Sequence, residues 1–416
     1  MGRDSVNHLR EQRGVIVIVV ALLIVVFIGA AALAIDVGHL FLVRNELQNS
    51  ADAGCLAGAR FLYGDDGMSV NENANQIAYQ AAIANKSERV PVDVHWSGGN
   101  MGDVERGHWS FETRTFTPNE STQPVNLWDV SPEALDANPN FINAIRVMAR
   151  RQDTPVTSFF AGVFGYEHFS LSTEAIAYIG FAGTLTPGEG DQPMVVCKES
   201  LLTNGQYTCS SGRMMSMGEQ VPGQETGGWS DFTQDNPCFN GVNFRTMRSL
   251  VCGGGNPDPI LLNQRVATDG GDIPGIFELV SACWVSATGK LDPWTLTLPV
   301  IECPGNTMDR CARFVGAVTV NIVWITGAED DPTFSDAPWV MENPRTGATW
   351  FSSDSNGQAR WDSFVQNFNL QNVDGSPTPY IKKSIYFLPG CNDHKPAGRT
   401  GGENFGILAK IPVLAR

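Results

Sequence analysis

From Val15 to Ile35 the chain runs 21 residues without a charge, a proline or a polar side chain. At ~1.5 Å of rise per residue, a helix of that length covers ~30 Å, the depth of a bilayer's hydrocarbon core. Arg3, Arg10 and Arg13 precede the run, and Arg44 is the only lysine or arginine between it and Arg60. The positive-inside bias therefore predicts a short cytoplasmic stub, residues 1–14, a transmembrane helix, 15–35, and everything else on the far side. A cleaved signal peptide competes with this reading, because Ala32-Leu33-Ala34 has the A-x-A form of a processing site. The pattern beyond Ala34 favours a retained anchor. Leu40, Val43, Leu47, Ala51, Cys55 and Leu62 continue an apolar stripe at spacings of three, four and seven, the mark of one helix face. Ala51, Gly54 and Gly58 are small enough to let that face approach a packed surface closely.

The rest must fold as a globular protein. A chain of 416 residues predicts two or three domains, and 42% hydrophobic against 17% charged residues supplies real cores. The net charge of -16 repels phosphate backbones, so nucleic acid is excluded as a partner class. Glycine (43) and proline (24) are frequent enough to predict many turns and much β-structure. Residues 71–86 read as a short helix. Residues 92–96, 108–117 and 144–150 read as strands, 157–164 as a short helix or turn, and 169–180 as a further strand. In 144–150 the alternation of Ile145, Val147 and Ala149 with Arg146, Met148 and Arg150 is that of a half-buried strand. Residues 183–193, rich in Gly, Pro, Thr and acids, read as a linker. Beyond it, 194–416 reads as a β-rich extracytoplasmic domain, mainly antiparallel, with strand candidates at 276–286, 294–303, 313–327, 380–388 and 407–414. The fold class expected is α+β: one spanning helix continuing into a packed helix, a small helix-plus-antiparallel-sheet domain (36–182), and the distal domain.

Eight of nine cysteines lie in that distal segment: Cys197, Cys209, Cys238, Cys252, Cys283, Cys303, Cys311 and Cys391. An even set outside the cytoplasm predicts four disulfides. Eight cysteines allow 105 connectivities. Proximity in sequence suggests Cys197–Cys209, Cys238–Cys252 and Cys303–Cys311, with Cys283–Cys391 left over. No C-x-x-C pair offers a metal site, and Cys55 reads as a small packing residue.

A search for chemistry finds little. The sequence has six histidines, none at metal-site spacing, and no H-E-x-x-H, G-x-S-x-G or P-loop string. The expectation is a non-enzymatic protein with no cofactor and no catalytic residue. Two acidic loops are weak cation candidates: Glu329, Asp330 and Asp331 with Asp336, and Asp354 with Asn356 in a D-x-N-G string. The second lacks the expected carboxylate, since Ser363 stands where the bidentate Glu would be, and solvated turns are the favoured reading. Trp284, Trp294 and Trp324 read as core. Trp229, Trp339, Trp350 and Trp361 lie in Gly/Asp/Ser-rich segments and form either an exposed binding face or satellite cores; Met214, Met215 and Met217 fall in a loop.

The segment from Arg13 to Arg60 resembles the N-terminus of TadG-like proteins of the Flp (tight adherence) pilus assembly system. The shared pattern is a basic start, Arg-Gly, an apolar span with a small-residue end, an acidic residue, and then a His or aromatic in the next turn. It closes on a string like L-Q-N-A-A-D-A-A-A-L-A-A, which residues 47–58 (LQNSADAGCLAG) match with small residues exchanged. Residues 144–180 resemble the same family, where a strand, a p-x-F-F-a turn and a Ser/Thr/Ala strand follow in order. Related pilins carry a Glu five residues past their processing site; here that position would be Val19, which favours a retained anchor. Some TadG-like proteins carry a von Willebrand A-type domain with a D-x-S-x-S metal site, and no such string occurs here. The resemblance implies a membrane-anchored part in pilus assembly or pilus anchoring at the inner membrane. Its partners would be the lipid bilayer and other pilus assembly proteins, with a homo-oligomer an open option. The alternative is a secreted or surface adhesin that binds a ligand through residues 194–416.

Overall fold

The computed structural model describes residues 4–217, 226–234, 238, 240–391 and 394–415, with side chains from residue 15 onward. Of the expected cytoplasmic stub, Arg3 and the side chains of Arg10 and Arg13 lie outside the described residues. Helix α1 spans Asp4–Arg60 as one run of 57 residues, ~85 Å at helical rise. It has two personalities. Along 15–35 every side chain is exposed except half-buried Ala32. From Val43 onward one face disappears: Val43, Leu47, Ala51, Cys55 and Ala59 are fully buried. Nothing in the sequence interrupts the helix between the two halves, since 36–60 contains no proline and its glycines stand singly.

The buried face lies on a five-stranded antiparallel sheet ordered Val413–Leu414, His168–Tyr178, Ala144–Thr157, Val104–Ser110, Thr115–Pro118. Ile145, Val147 and Ala149 point at α1 from the long central strand, in the alternation read from the sequence. A second helix, α2 (Ala74–Ile83), packs beside α1 through Ala74, Ala78 and Ala82. The outermost strand of this sheet is the C-terminus of the chain: Val413 pairs Tyr178 and Leu414 pairs Ala177. The expected strand at 92–96 is instead irregular, tied to the sheet by one bridge between Asp93 and Arg150. Asp93 is there drawn into capping backbone N–H groups of Gln152 and Asp153 rather than extending a ladder.

The distal region is built on a larger sheet ordered Arg213–Ser216, Ser384–Pro389, Cys311–Ile325, Trp294–Ile301, Met194–Cys197, Gly227–Trp229. Its pairings are antiparallel except that Met194–Cys197 runs parallel to Trp294–Ile301. The segment expected to open as a linker begins inside a strand. Phe181–Leu185 pairs with Ile260–Leu261 and Arg399–Gly402, so the backbone leaves the proximal sheet already paired.

Residues 276–286, read as a strand, form a helix, Ile276–Thr288. Its buried residues Ile276, Phe277, Val280, Cys283 and Trp284 fall at helical spacing, and Gly275 and Gly289 bound it in left-handed conformation. A short apolar run does not reveal its period until its burial is known. Helices Phe244–Leu250 and Gly357–Phe368 were not anticipated; each is capped by an asparagine, Asn243 and Asn356. The tryptophans resolve mostly inward. Trp229, Trp284, Trp324, Trp350 and Trp361 are buried, Trp294 is half-buried, and Trp339 is exposed with the Arg360 guanidinium 3.6 Å above its ring. Met214 and Met215 lie in the Arg213–Ser216 strand rather than a loop, and with Met217 they are buried.

Candidate functional site

Where α1 passes from exposed to buried, a polar cluster grips it. Asp36 follows the apolar run directly and is itself buried. Its carboxylate accepts from the backbone N–H groups of Phe159 (2.8 Å), Phe160 (3.0 Å) and Ala161 (2.6 Å) at the tip of the hairpin joining the two longest proximal strands. Three N–H donors on one carboxylate satisfy the charge without a cationic partner. One turn on, His39 bonds the Glu88 carboxylate and lies 4.7 Å, ring to ring, from Phe159. Glu88 also meets Arg151 at 3.2 Å, and Arg151 donates to the Ser87 carbonyl at 2.9 Å. Glu46 accepts from Ser87 Oγ (3.0 Å) and from the Glu88 N–H (2.9 Å). Asp36, His39 and Glu46 are thus each met by the sheet domain, which fixes both rotation and depth of α1.

Further along, contact becomes intimate. A Cβ at Gly54 would stand 2.9 Å from Ala82 Cβ and 3.2 Å from Val147; at Gly58 it would stand 2.7 Å from both Ala78 Cβ and Ile145 Cδ1. Ala51 is fully buried on the same face. Ser50 Oγ donates to the Ala82 carbonyl at 2.9 Å, so the helix pair is also keyed by a buried hydrogen bond. Cys55 is buried and unpaired by any disulfide; burial first, then the neighbouring Asp52 charge, pushes its thiol far up, which makes it an inert packing group.

The four disulfides join Cys197–Cys303, Cys209–Cys391, Cys238–Cys311 and Cys252–Cys283, with Cα separations of 5.4 to 5.6 Å. None is a pairing suggested by sequence proximity. Sheet topology decides instead: Met194–Cys197 lies beside Trp294–Ile301, so Cys197 meets Cys303 across 106 residues of sequence. Cys209–Cys391 spans 182 residues.

The acidic loops are engaged by their own turn groups and by neighbouring lysines. Asp331 accepts from Thr333, Ser335 and the Asp336 N–H; despite some burial these bonds bring its carboxyl down to about 2. Asp330 pairs with Lys382 and Asp336 with Lys290, while Glu329 joins neither pair. Asp354 accepts from the Asn356 N–H, and Asn356 caps the following helix. Among the described residues, no group of three His, Cys, Asp or Glu side chains converges on a common point.

The proximal and distal regions also enclose an apolar cleft of about 430 Å³, with Phe111, Leu135, Phe141 and Phe181 on one wall and Leu202 and Tyr207 on the other. Bonds that bridge the regions include Asp129 N–H to the Tyr207 carbonyl (2.8 Å) and Asn404 Nδ2 to the Leu127 carbonyl (2.7 Å).

The small residues of α1 are legible in the sequence; the Asp36 clasp, as a pairing, is not. Its signal was present as an acid immediately after the apolar run and a Phe-Phe-Ala turn over a hundred residues later.

Residues 14–60 match the family described as Flp pilus-assembly TadE/G-like. Residues 57–177 match the family described as Tad-like Flp pilus-assembly. The N-terminal region is TadE/G-like. The two matches join at the end of α1 and together cover the helix, α2 and the proximal sheet up to its His168–Tyr178 strand. The TadE/G-like match takes in the whole exposed run together with Asp36, Gly54 and Gly58, while the residues that meet them, Phe159 to Ala161, Ala78, Ala82, Ile145 and Val147, fall in the second match. No curated protein and no solved structure matches the chain significantly.

Proposed function

We propose that this chain is a membrane-anchored, non-enzymatic component of Flp/Tad-type pilus assembly or pilus anchoring, with residues 1–14 in the cytoplasm and the bulk beyond the inner membrane. The observation that carries this reading is the continuity of α1: one helix is apolar and exposed, Ala32 alone half-buried, over a bilayer's depth, and then packs one face into the Tad-like region matched at residues 57–177. An exposed apolar surface of that size is stable only in lipid or against a partner. The helix acts as a stem that transmits position from the membrane to residues 36–182, and the disulfide-bonded 194–416 region presents a rigid surface to other assembly proteins.

The test is complementation in a strain lacking this chain. The full chain restores surface pili. A version whose residues 1–35 are replaced by an efficiently cleaved signal peptide is exported, folds and fails to restore them. Full restoration by the released form would contradict the anchoring role and favour a secreted adhesin.

A further inference from the structure

The hairpin between strands Ala144–Thr157 and His168–Tyr178 ends in a turn whose side chains are large, apolar and uncovered. Phe159 is 65% exposed, Val163 86%, Phe164 77% and Tyr166 64%, with Phe160 at 42%. Five such residues in an eight-residue turn are not the scattered apolar exposure of an ordinary surface.

Register along α1 gives the turn's depth. Ile145 lies against Gly58 and Val147 against Gly54; further down, Phe159 lies beside His39, and Phe159 to Ala161 bond Asp36. As the strand advances from 145 to 161, its contacts walk down the helix from 58 to 36. The next residues, Gly162 to Tyr166, therefore continue from the level where the apolar run 15–35 ends.

The turn's backbone also suits an apolar medium, where each unsatisfied N–H is costly. The N–H groups of Phe159, Phe160 and Ala161 go to Asp36. Those of Ser158, Val163, Gly165 and Tyr166 go to carbonyls within the turn, and Ser158 Oγ donates to the Tyr166 carbonyl. Polar side chains begin only behind the tip, at Glu167 and exposed His168.

From these observations we infer that residues 159–166 form a second membrane contact, a foot whose Phe159, Phe160, Val163, Phe164 and Tyr166 side chains enter the headgroup and upper acyl region beside the helix. Aromatic side chains favour that layer, and apolar turn surface adds to the binding. The inference rests on the anchoring role of α1. A single helix leaves a domain free to tilt and swivel; a foot clasped to the same helix fixes its orientation against the bilayer.

The test uses the full chain in vesicles of phosphatidylethanolamine and phosphatidylglycerol, with one nitroxide label at a time on Phe27→Cys, Val163→Cys, Phe164→Cys or Phe351→Cys. Phe351 is an exposed apolar residue of the distal region, and native Cys55 is buried against labelling. Collision with oxygen and with a water-soluble nickel chelate is then compared. The expected result is lipid-like protection from the chelate at 27, 163 and 164, with 351 open to it. Protection at 27 with free chelate access at 163 and 164 overturns the foot and leaves the anchor standing. Chelate access at 27 as well overturns the anchor, and the foot with it. Spin–spin broadening at 163 and 164 without oxygen-rich, lipid-like contact identifies a second copy as the occupant and overturns lipid.

Discussion

The two regions of this molecule hold themselves together by different means. Among the described residues the proximal region has no disulfide, and its core is made by close approach: Ala51, Gly54 and Gly58 of α1 against Ala74, Ala78 and Ala82 of α2 and against Ile145, Val147, Ala175 and Ala177 on two strands. The distal region has four disulfides and an aromatic core in which Trp284, Trp324, Phe364, Phe368, Trp361 and Tyr386 interlock. The proposed stem role asks for a helix held at a fixed depth and rotation, and the tight small-residue contacts and the Asp36 clasp suit it. A projecting region with many short strands and long loops gains more from covalent ties that restrict its unfolded state.

Reduction separates the regions most strongly. Each native disulfide lost costs ~2–5 kcal/mol, so reducing all four should unfold the distal region. Seven of the ten tryptophans lie there (229, 284, 294, 324, 339, 350 and 361), so their fluorescence should shift while most far-UV helical signal, dominated by α1, persists. Simultaneous loss of both signals would mean that the regions fold as one unit.

The junction should respond to acid. His394 is fully buried, its backbone N–H bonded to the Asp66 carbonyl and its ring against Gly390 and Gly406. Burial lowers its imidazole to about 4 from an ordinary 6.5. Above pH 6.5 the ring is neutral in both folded and unfolded chains. Below it the unfolded chain binds the proton first, so stability falls as pH drops toward 4, by ~3 kcal/mol in all at ~1.4 kcal/mol per unit. Denaturant titrations across that window should show the slope in the native chain and a flatter one in His394→Gln. An unchanged slope would remove His394 as its source.

A smaller and more local effect is expected in the stem. Gly58→Val places methyl groups where Ala78 and Ile145 already stand, and overpacking of this kind costs ~1–3 kcal/mol. Proximal unfolding by hydrogen exchange should become easier while distal protection stays. Equal loosening of both would break the division between them. Asn356→Ala removes the cap of the Gly357–Phe368 helix and should cost ~1 kcal/mol, read as a modest drop in distal stability alone.

The stem was the more legible half because its signals are local. Twenty-one uninterrupted apolar residues, a stripe continuing to Leu62 and the alternation at 145–149 each depend on spacing alone. The distal half depends on which strands become neighbours. The parallel placement of Met194–Cys197 beside Trp294–Ile301 sets Cys197 against Cys303, and no property of either segment announces that pairing. The Ile276–Thr288 helix was hidden because its outward residues, such as Val285, are themselves apolar and blur the period. Asp36 was visible as an acid after a span, but its partners lie 123 to 125 residues away and are backbone groups, which carry no sequence signature.

The central claim is that the exposed half of α1 stays on the working protein as its membrane stem. Mass spectrometry of the mature N-terminus, on chain from separated membrane and released fractions, tests it most directly. A chain beginning at or near Met1 in the membrane fraction is the predicted result. A chain beginning near Val15 or Ile35, found mainly in the released fraction, would contradict it.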